Sequence, residues 1–380
     1  MKKKSYHGYW LRSVLTVLAL VSLTLSLVAP VSCRLTEEGI EILPIDTAAP
    51  KVESFSVTAS NSIRLACSEK IVLDNIHITD CDGEFFACAD AVTYSEDESC
   101  AEIELSAMTT VGREYTFSAH VYDRTGNSLE FSQLFTGFNE NPALLAINEV
   151  RVNGDSSKQL GEFVEFIVLK SGNTAGLSFM STMYQTEARY DFPAMEVSKG
   201  DFITLHGRTF FTKSTTKEVT LISDWADERG DDLTLSKTLD SFDEARDLWM
   251  DGDGKLASKS SVLILRNSSS GQIIDALPLS EKGEKWPKSA MEKLIAEAFD
   301  AGVWTDGSSA DCAFITSPAG SSANNSISRQ NTESLLNGQG ISSQGGGIAS
   351  SAEDWAVIKS QGSGKNTVPG TTPGEMNKVS

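Results

Sequence analysis

From Ala48 onward the chain alternates between short apolar and polar positions, broken by Gly, Asn, Asp and Ser. A period of two places alternate side chains on opposite faces of a strand. On that reading SFSVTAS at 54–60, SIRLA at 62–66, IVLDNIHIT at 71–79, AEIEL at 101–105, EYTFSAHVYD at 114–123 and SLEFSQLF at 128–135 are successive strands. Seven or so short strands in about 90 residues suit a sandwich. After a linker, FNENPA at 138–143, a second strand-rich region begins. Helical spacing occurs once, from about Pro287 to Phe299, where Met291, Leu294, Ile295 and Ala298 recur and Pro287 suits a first turn. The Gly/Ser-rich stretch at 337–351 predicts a flexible loop. The pattern predicts an all-β protein of two tandem sandwich domains with one short helix; the bounds 48–138 and 143–377, and long loop insertions in the second, are what the resemblances given next imply.

Two resemblances refine this reading. AAPKV at 48–52, LACSEKI at 65–71 and the turn Asp123-Arg124-Thr125-Gly126-Asn127 resemble bacterial Ig-like modules of the surface-layer type. Cys67 stands there where the family's triplet has Phe. In the second region AINEVRVNG at 146–154 and GEFVEFIVL at 161–169 resemble the opening of the lamin tail domain, also an Ig-like sandwich. FPAMEVSKGDFITL at 192–205 and SSVLILRNSSSGQIIDAL at 260–277, which includes Asp275, follow in the family's order. So do SISRQ at 326–330, DWAVI at 354–358 and TPGEMN at 372–377. Ser351 lies one residue further from Trp355 than that pattern asks. The span 143–377 is about twice a typical lamin tail domain, and the excess falls at 206–259, 278–325 and 331–352, where surface insertions are tolerated. Both resemblances imply Ig-like folds. The second implies a module that accompanies secreted nucleases and phosphatases.

The N-terminus changes the picture of location. Lys2, Lys3, Lys4 and Arg12 precede an apolar run from Ser13 to Val31, which ends at Val31-Ser32-Cys33. A basic segment, an apolar run and small residues read as a secretory signal, although a run of this length also approaches the ~20 residues of a membrane span. The Cys after a small residue resembles the lipobox of bacterial lipoproteins, with Pro30 where Leu is usual. That resemblance implies removal of residues 1–32, acylation of Cys33 (palmitate or its like), and a tether over 33–47. A lipid-anchored protein of the bacterial cell envelope or surface is expected. Each buried CH₂ of such an anchor contributes roughly 0.8 kcal/mol.

Charge and cysteines narrow the chemistry. The chain carries a net charge of −20, and residues 1–32 hold four Lys or Arg and no acid, so their removal takes it to −24. Such a surface repels phosphate backbones, which argues against nucleic acid as a partner. Cys67, Cys81, Cys88 and Cys100 crowd together, with Cys312 apart as a free thiol. In an oxidising compartment this predicts two disulfides, with three possible pairings; Cys67–Cys100 with Cys81–Cys88 is the one local geometry favours. No CxxC, HExxH, Walker loop or GxSxG elbow occurs, and the histidines (His7, His77, His120, His206) lie at no ligand spacing. Glu162 and Glu165 could pair as acid and base but sit where the lamin-tail pattern has a strand. The remaining candidate is an oxygen-rich loop, Asp247, Asp251 and Asp253 with Gly252 and Gly254, of a kind that calcium prefers. It misses the EF-hand register, and its plain alternative is a solvated acidic turn. No other cofactor is expected. The sequence predicts a non-enzymatic, lipid-anchored binding, adhesion or scaffolding protein with protein or polysaccharide partners. The alternatives are an accessory to a secreted hydrolase and a purely structural envelope component.

Overall fold

A computed structural model describes residues 32–36, 39–43, 46–154, 162–183, 186–207, 246–250, 256–258, 260–268, 271–281, 289–307, 314–315, 324–342, 346–362, 368 and 370–378. The protein is all-β and sandwich-like. Two short strands near the start, β1 (Ser32–Thr36) and β2 (Gly39–Leu43), pair antiparallel. The rest divides into two compact units. One gathers the described residues up to Ser56 with Ser62–Ala107 and Thr116–Gln133, the other Val57–Asn61, Met108–Tyr115 and the described residues from Leu134 on. No helix among the described residues is long and apolar enough to cross a membrane.

The first region contains β3 (Val52–Ala59), β4 (Ser62–Cys67), β5 (Val72–Asp80), β6 (Phe85–Tyr94), β7 (Cys100–Leu105), β8 (Glu114–Tyr122) and β9 (Ser128–Thr136). They are ordered β3-β4-β7-β6-β5-β8-β9. This is the constant-type Ig arrangement, ABED on one sheet and CFG on the other. The hinge between the sheets is β6. Its first residues, Phe85–Cys88, pair with β5, and after a bulge between Ala89 and Ala91 the remainder pairs with β7. Bulges allow a strand to bend from one sheet to the next. Alternation in β4, β7 and β8 buries Ile63, Leu65, Ile103, Phe117 and Val121. Phe55 of β3 packs on Phe117 of β8 and Phe131 of β9, with centroids 5.3 and 6.0 Å apart. Six strands lie where the alternation put them. The unforeseen one is β6, whose bulge breaks the alternation.

The second unit has two facing sheets. One runs β17-β16-β11-β10-β21-β22: β10 (Leu144–Arg151), β11 (Phe163–Lys170), β16 (Phe202–His206), β17 (Arg246–Trp249), β21 (Ser326–Arg329) and β22 (Trp355–Ile358). The other runs β14-β13-β18-β19-β20: β13 (Ser178–Met183), β14 (Glu187–Asp191), β18 (Ser261–Arg266), β19 (Ile273–Ser280) and β20 (Phe314–Ile315). A small pair, β12 (Gly172–Asn173) and β15 (Glu196–Val197), stands apart from both. Leu145, Ile147, Val150, Val164, Phe166 and Val168 of the first sheet share one core with Phe179, Leu263 and Leu265 of the second. Helix α1 (Ser289–Asp300), close to where helical spacing put it, lies against β13, β18 and β19. It buries Met291, Ile295 and Ala298. Cover on both sides explains why β18 and β19 are buried almost without alternation.

The outer face of the six-stranded sheet is also covered, and in two different ways. One half is apolar: Ala146, Ile167 and Leu169 pack with Leu335 of helix α2 (Thr332–Leu336) and with Ile348. The expectation of a loose loop at 337–351 is therefore corrected over its described part. Ile348 is fully buried and its N–H donates to the Ile274 carbonyl at 2.8 Å. The other half is polar and carries the candidate site.

Candidate functional site: a buried polar face

The site begins with a defect in β10. The ladder between β10 and β11 slips between Ile147 and Glu149, which leaves Asn148 as a bulge residue. The backbone groups freed there are taken up by side chains. The Ile147 N–H donates to Asp275 Oδ2 at 2.7 Å, and the Ile147 carbonyl accepts from Arg329 Nε at 2.7 Å. Arg329 also forks onto Asp275 at 2.7 and 2.9 Å, with both side chains wholly buried. Its guanidinium lies 4.5 Å from the Trp355 ring, whose Nε1 donates to Ser350 Oγ at 3.1 Å.

Asn148 is held from three directions. Its Nδ2 donates to Glu165 Oε1 at 2.7 Å, its Oδ1 accepts from Thr332 Oγ1 at 2.7 Å, and its carbonyl accepts from Asn377 Nδ2 at 3.0 Å. Asn377 Nδ2 also donates to the Arg329 carbonyl at 2.9 Å. Residues 371–377 thereby form a clasp over the outer face. The Thr372 N–H donates to both oxygens of Glu149 (3.0 and 3.2 Å), the Gly374 N–H to Glu165 Oε2, and Arg151 Nη2 to Thr371 Oγ1 at 2.8 Å. Gly370 begins the clasp flush against β22, where a Cβ would come within 2.2 Å of the Ile358 carbonyl oxygen.

Register sets what lies side by side. Glu149 faces Glu165 across β10 and β11, Glu165 faces Thr204, and Thr204 faces Asp247 on the parallel strand β17. All four are on the face opposite Val150, Val164, Ile203 and Leu248, which belong to the core. Beside this row Arg151 lies over the Phe163 ring at 4.9 Å, and His206 Nε2 lies 2.6 Å from Asp247 Oδ1. Burial pushes the Glu165 carboxyl well above the ordinary carboxylate range, with Glu149 beside it adding to the shift. Burial raises Glu149 and Asp275 as well.

The residues singled out in the sequence fare differently. Asn148, Glu149, Glu165, Asp275, Arg329, Trp355, Thr372 and Asn377 belong to the quoted segments and converge here, from positions up to 229 residues apart. Glu162 and Glu165 do not act together: neighbouring strand residues alternate in face, and Glu162 accepts instead from the Leu256 N–H at 3.2 Å. Asp247, expected in an acidic loop with Asp251 and Asp253, is corrected: it is buried in β17 and held by His206. Asp251, Asp253 and Cys312 lie outside the described residues, and the His206–Asp247 pair had no local signal in the sequence.

The four clustered cysteines are also corrected. All are free thiols, with Cys67 buried, Cys100 half-buried, and Cys81 and Cys88 exposed. Ala66 is directly opposite Cys100, so the next residue, Cys67, points to the other face of the sheet. Cys67 joins the core, while Cys100 Sγ lies outside at 3.2 Å from Arg64 Nε. Cys81 occupies the turn after β5, whereas Cys88 pairs with His77, four residues earlier in the hairpin arm. At ~3.3 Å per strand residue that separation is too long for a bridge. Cys33 falls in β1 opposite Ile42. In the first unit Asp46, Glu69 and Asp123 bring ligand atoms within 4.8 Å of one another. Both Asp123 oxygens already accept bonds from the Thr125–Asn127 turn.

Fold and site thus define an all-β protein with a second unit closed over a buried polar face. A family model described as the TP_1001 protein second domain matches residues 143–357, and the chain belongs to that family. A protein of Treponema pallidum (strain Nichols) described as "Uncharacterized protein" is 27% identical over 203 residues, 51% of this chain and 48% of that one. The chain therefore spans about half the length of that relative. Among solved structures, the N-terminal part of the bacterial S-layer protein SbsC is similar at 21% identity and a TM-score of 0.23, over 44% of this chain and 43% of that one. The S-layer protein rSbsC(31-844) is similar at 14% identity and a TM-score of 0.21, over 61% of this chain and 41% of that one. TM-scores of this size define no shared fold.

Proposed function

We propose that the protein is a non-enzymatic, lipid-anchored module of a bacterial cell envelope or surface that binds protein or polysaccharide partners. The observation that carries the reading is the order Lys2-Lys3-Lys4, Arg12, apolar run, Val31-Ser32-Cys33. The lamin-tail resemblance adds support, because its motif residues are engaged with one another inside the second unit, as parts of a scaffold are. Loops inserted between those motifs are then the surfaces that meet a partner.

The experiment is metabolic labelling with palmitate and detergent phase separation in a bacterial host. The wild type takes up label and enters the detergent phase, and Cys33→Ala takes up none and moves to the aqueous phase. Unlabelled wild-type protein with unchanged partitioning of Cys33→Ala overturns the anchored reading. For the binding reading, the chain lacking residues 1–33 is used as bait on intact cells. Specific recovery of a glycan or surface protein supports it, and recovery of a secreted hydrolase replaces it with an accessory role.

A further inference from the structure

Two of the contacts that hold the clasp end on titratable groups, and those groups form a pair. Glu149 and Glu165 are directly opposite across β10 and β11, and both are wholly buried. Opposed side chains on neighbouring strands are close, and like charges in that position repel. The groups that hydrogen-bond the two carboxyls are neutral. They are the Thr372 N–H with the Ser326 and Ser328 hydroxyls for Glu149, and the Asn148 amide with the Gly374 N–H for Glu165. Thr372 and Gly374 belong to the clasp, and Pro373 between them has no N–H to give. The clasp is a strand of neither sheet, so it can lift without breaking a ladder. Gly370 is its fixed end, flush on β22 and donating its N–H to the Asn324 carbonyl at 2.8 Å.

We propose that the clasp is a proton-operated latch: a proton on the Glu149–Glu165 pair keeps residues 371–377 down on the sheet, and its loss lets them lift while both sheets stay formed. Lifting returns the two carboxyls to water, where charge is hydrated and repulsion screened. Burial raises both carboxyls, and Glu149 raises Glu165 further. Of the charged groups around the pair, Arg151 on β10 opposes the shift at Glu149, and Asp247 on β17 adds to that at Glu165. His206 on β16 is held against Asp247, and Arg329 on β21 against Asp275 of β19. Glu375 and Lys378 at the clasp, and Glu333 of α2, are exposed. A group protonated in the closed state and hydrated in the open one makes opening release a proton. The latch therefore weakens as pH rises through the raised value.

The test is native-state hydrogen exchange of the full chain in detergent, with each amide's rate divided by its intrinsic rate at the same pH. Protection at Thr372 and Gly374 falls by about ten- to a hundredfold between pH 6 and pH 8, since one proton released on opening gives a tenfold step per pH unit. At each pH it stays below the protection of β18. Unlike that of β18, it hardly changes in dilute urea, as for a local opening that exposes little surface. Glu165→Gln lowers protection at every pH, because its amide nitrogen cannot accept from one of the two donors, and removes most of the fall with pH. Glu149→Gln keeps an oxygen for the Thr372 N–H and a donor for Ser328, and makes the fall smaller. The proposal is overturned by wild-type protection at Thr372 and Gly374 that ignores pH, or by a wild-type slope retained in Glu165→Gln. It is also overturned if these amides match β18 in both protection and urea dependence, because the whole unit would then open at once.

Discussion

At the scale of single residues, the second unit depends on charges placed where water cannot reach. Arg329 and Asp275 are each wholly buried and satisfy one another as well as the two backbone groups of Ile147. Removing one partner of such a pair leaves the other uncompensated, at a cost of about 3–5 kcal/mol. Asp275→Ala is therefore expected to lower the unfolding free energy of this unit, read from urea titration, by that amount, whereas alanine at exposed Glu353 should change it by less than about 0.5 kcal/mol. Reactivity follows burial in the same way at the cysteines. Burial pushes the Cys67 thiol up to about 11, with Cys100 adding to the effect. Thiolate is the reactive form, so in the native protein a maleimide should label exposed Cys81 and Cys88 rapidly and Cys67 only after unfolding. Equal labelling of all three, read by peptide mass, would contradict the structure.

Among elements, strands with one covered face were legible and those with two covered faces or a defect were less so. β4, β7 and β8 alternate cleanly because one side meets the core. β6 hid because its bulge transfers it between sheets. The candidate face was legible in part. Asn148, Glu149 and Glu165 stood out as a pattern, but their partners at 371–377 lie more than two hundred residues away, and no local periodicity encodes that pairing. Asp247 read as a solvated turn because its neighbours are acidic, and only the parallel pairing of β16 with β17 puts it against His206. The clasp is itself an element without secondary structure, held by side chains and free N–H groups. Asn377→Ala removes two backbone anchors, at Asn148 and Arg329, and should cost about 1–3 kcal/mol. Hydrogen exchange at Thr372 and Gly374 should quicken in that variant, with exchange in β18 unchanged.

For the whole molecule, each unit has its own buried apolar residues, so calorimetry should resolve two unfolding transitions with separate pH behaviour. Among the described residues, the ionisable groups beside Glu165 on its face of the sheet are Glu149, Arg151, Asp247 and His206. A carboxyl whose folded pKa is raised contributes stability that is present below its ordinary value and is lost as pH rises through the raised one. The transition of the second unit should thus move to lower temperature as pH rises from the ordinary carboxylate range through neutrality, and Glu165→Gln should flatten that slope. A transition that instead rises across this interval would reverse the sign assigned to the buried carboxyls.

The clasp also sets a timetable. Chains emerge from the ribosome in order, at roughly 5–20 residues per second. The first set of strands is complete once Thr136 of β9 has appeared. The second unit is different, since Asn148 cannot find Asn377 until 229 more residues have followed it. Its bulge and its two opposed glutamates wait through the whole of that interval, and β21 and β22 of the same sheet also come late in it. Long-range closure of this kind is slow. A nascent chain halted before residue 371 should carry a protease-resistant first unit and a second unit that is still cut, and release of the remaining residues should convert the second to the resistant form as a single late event.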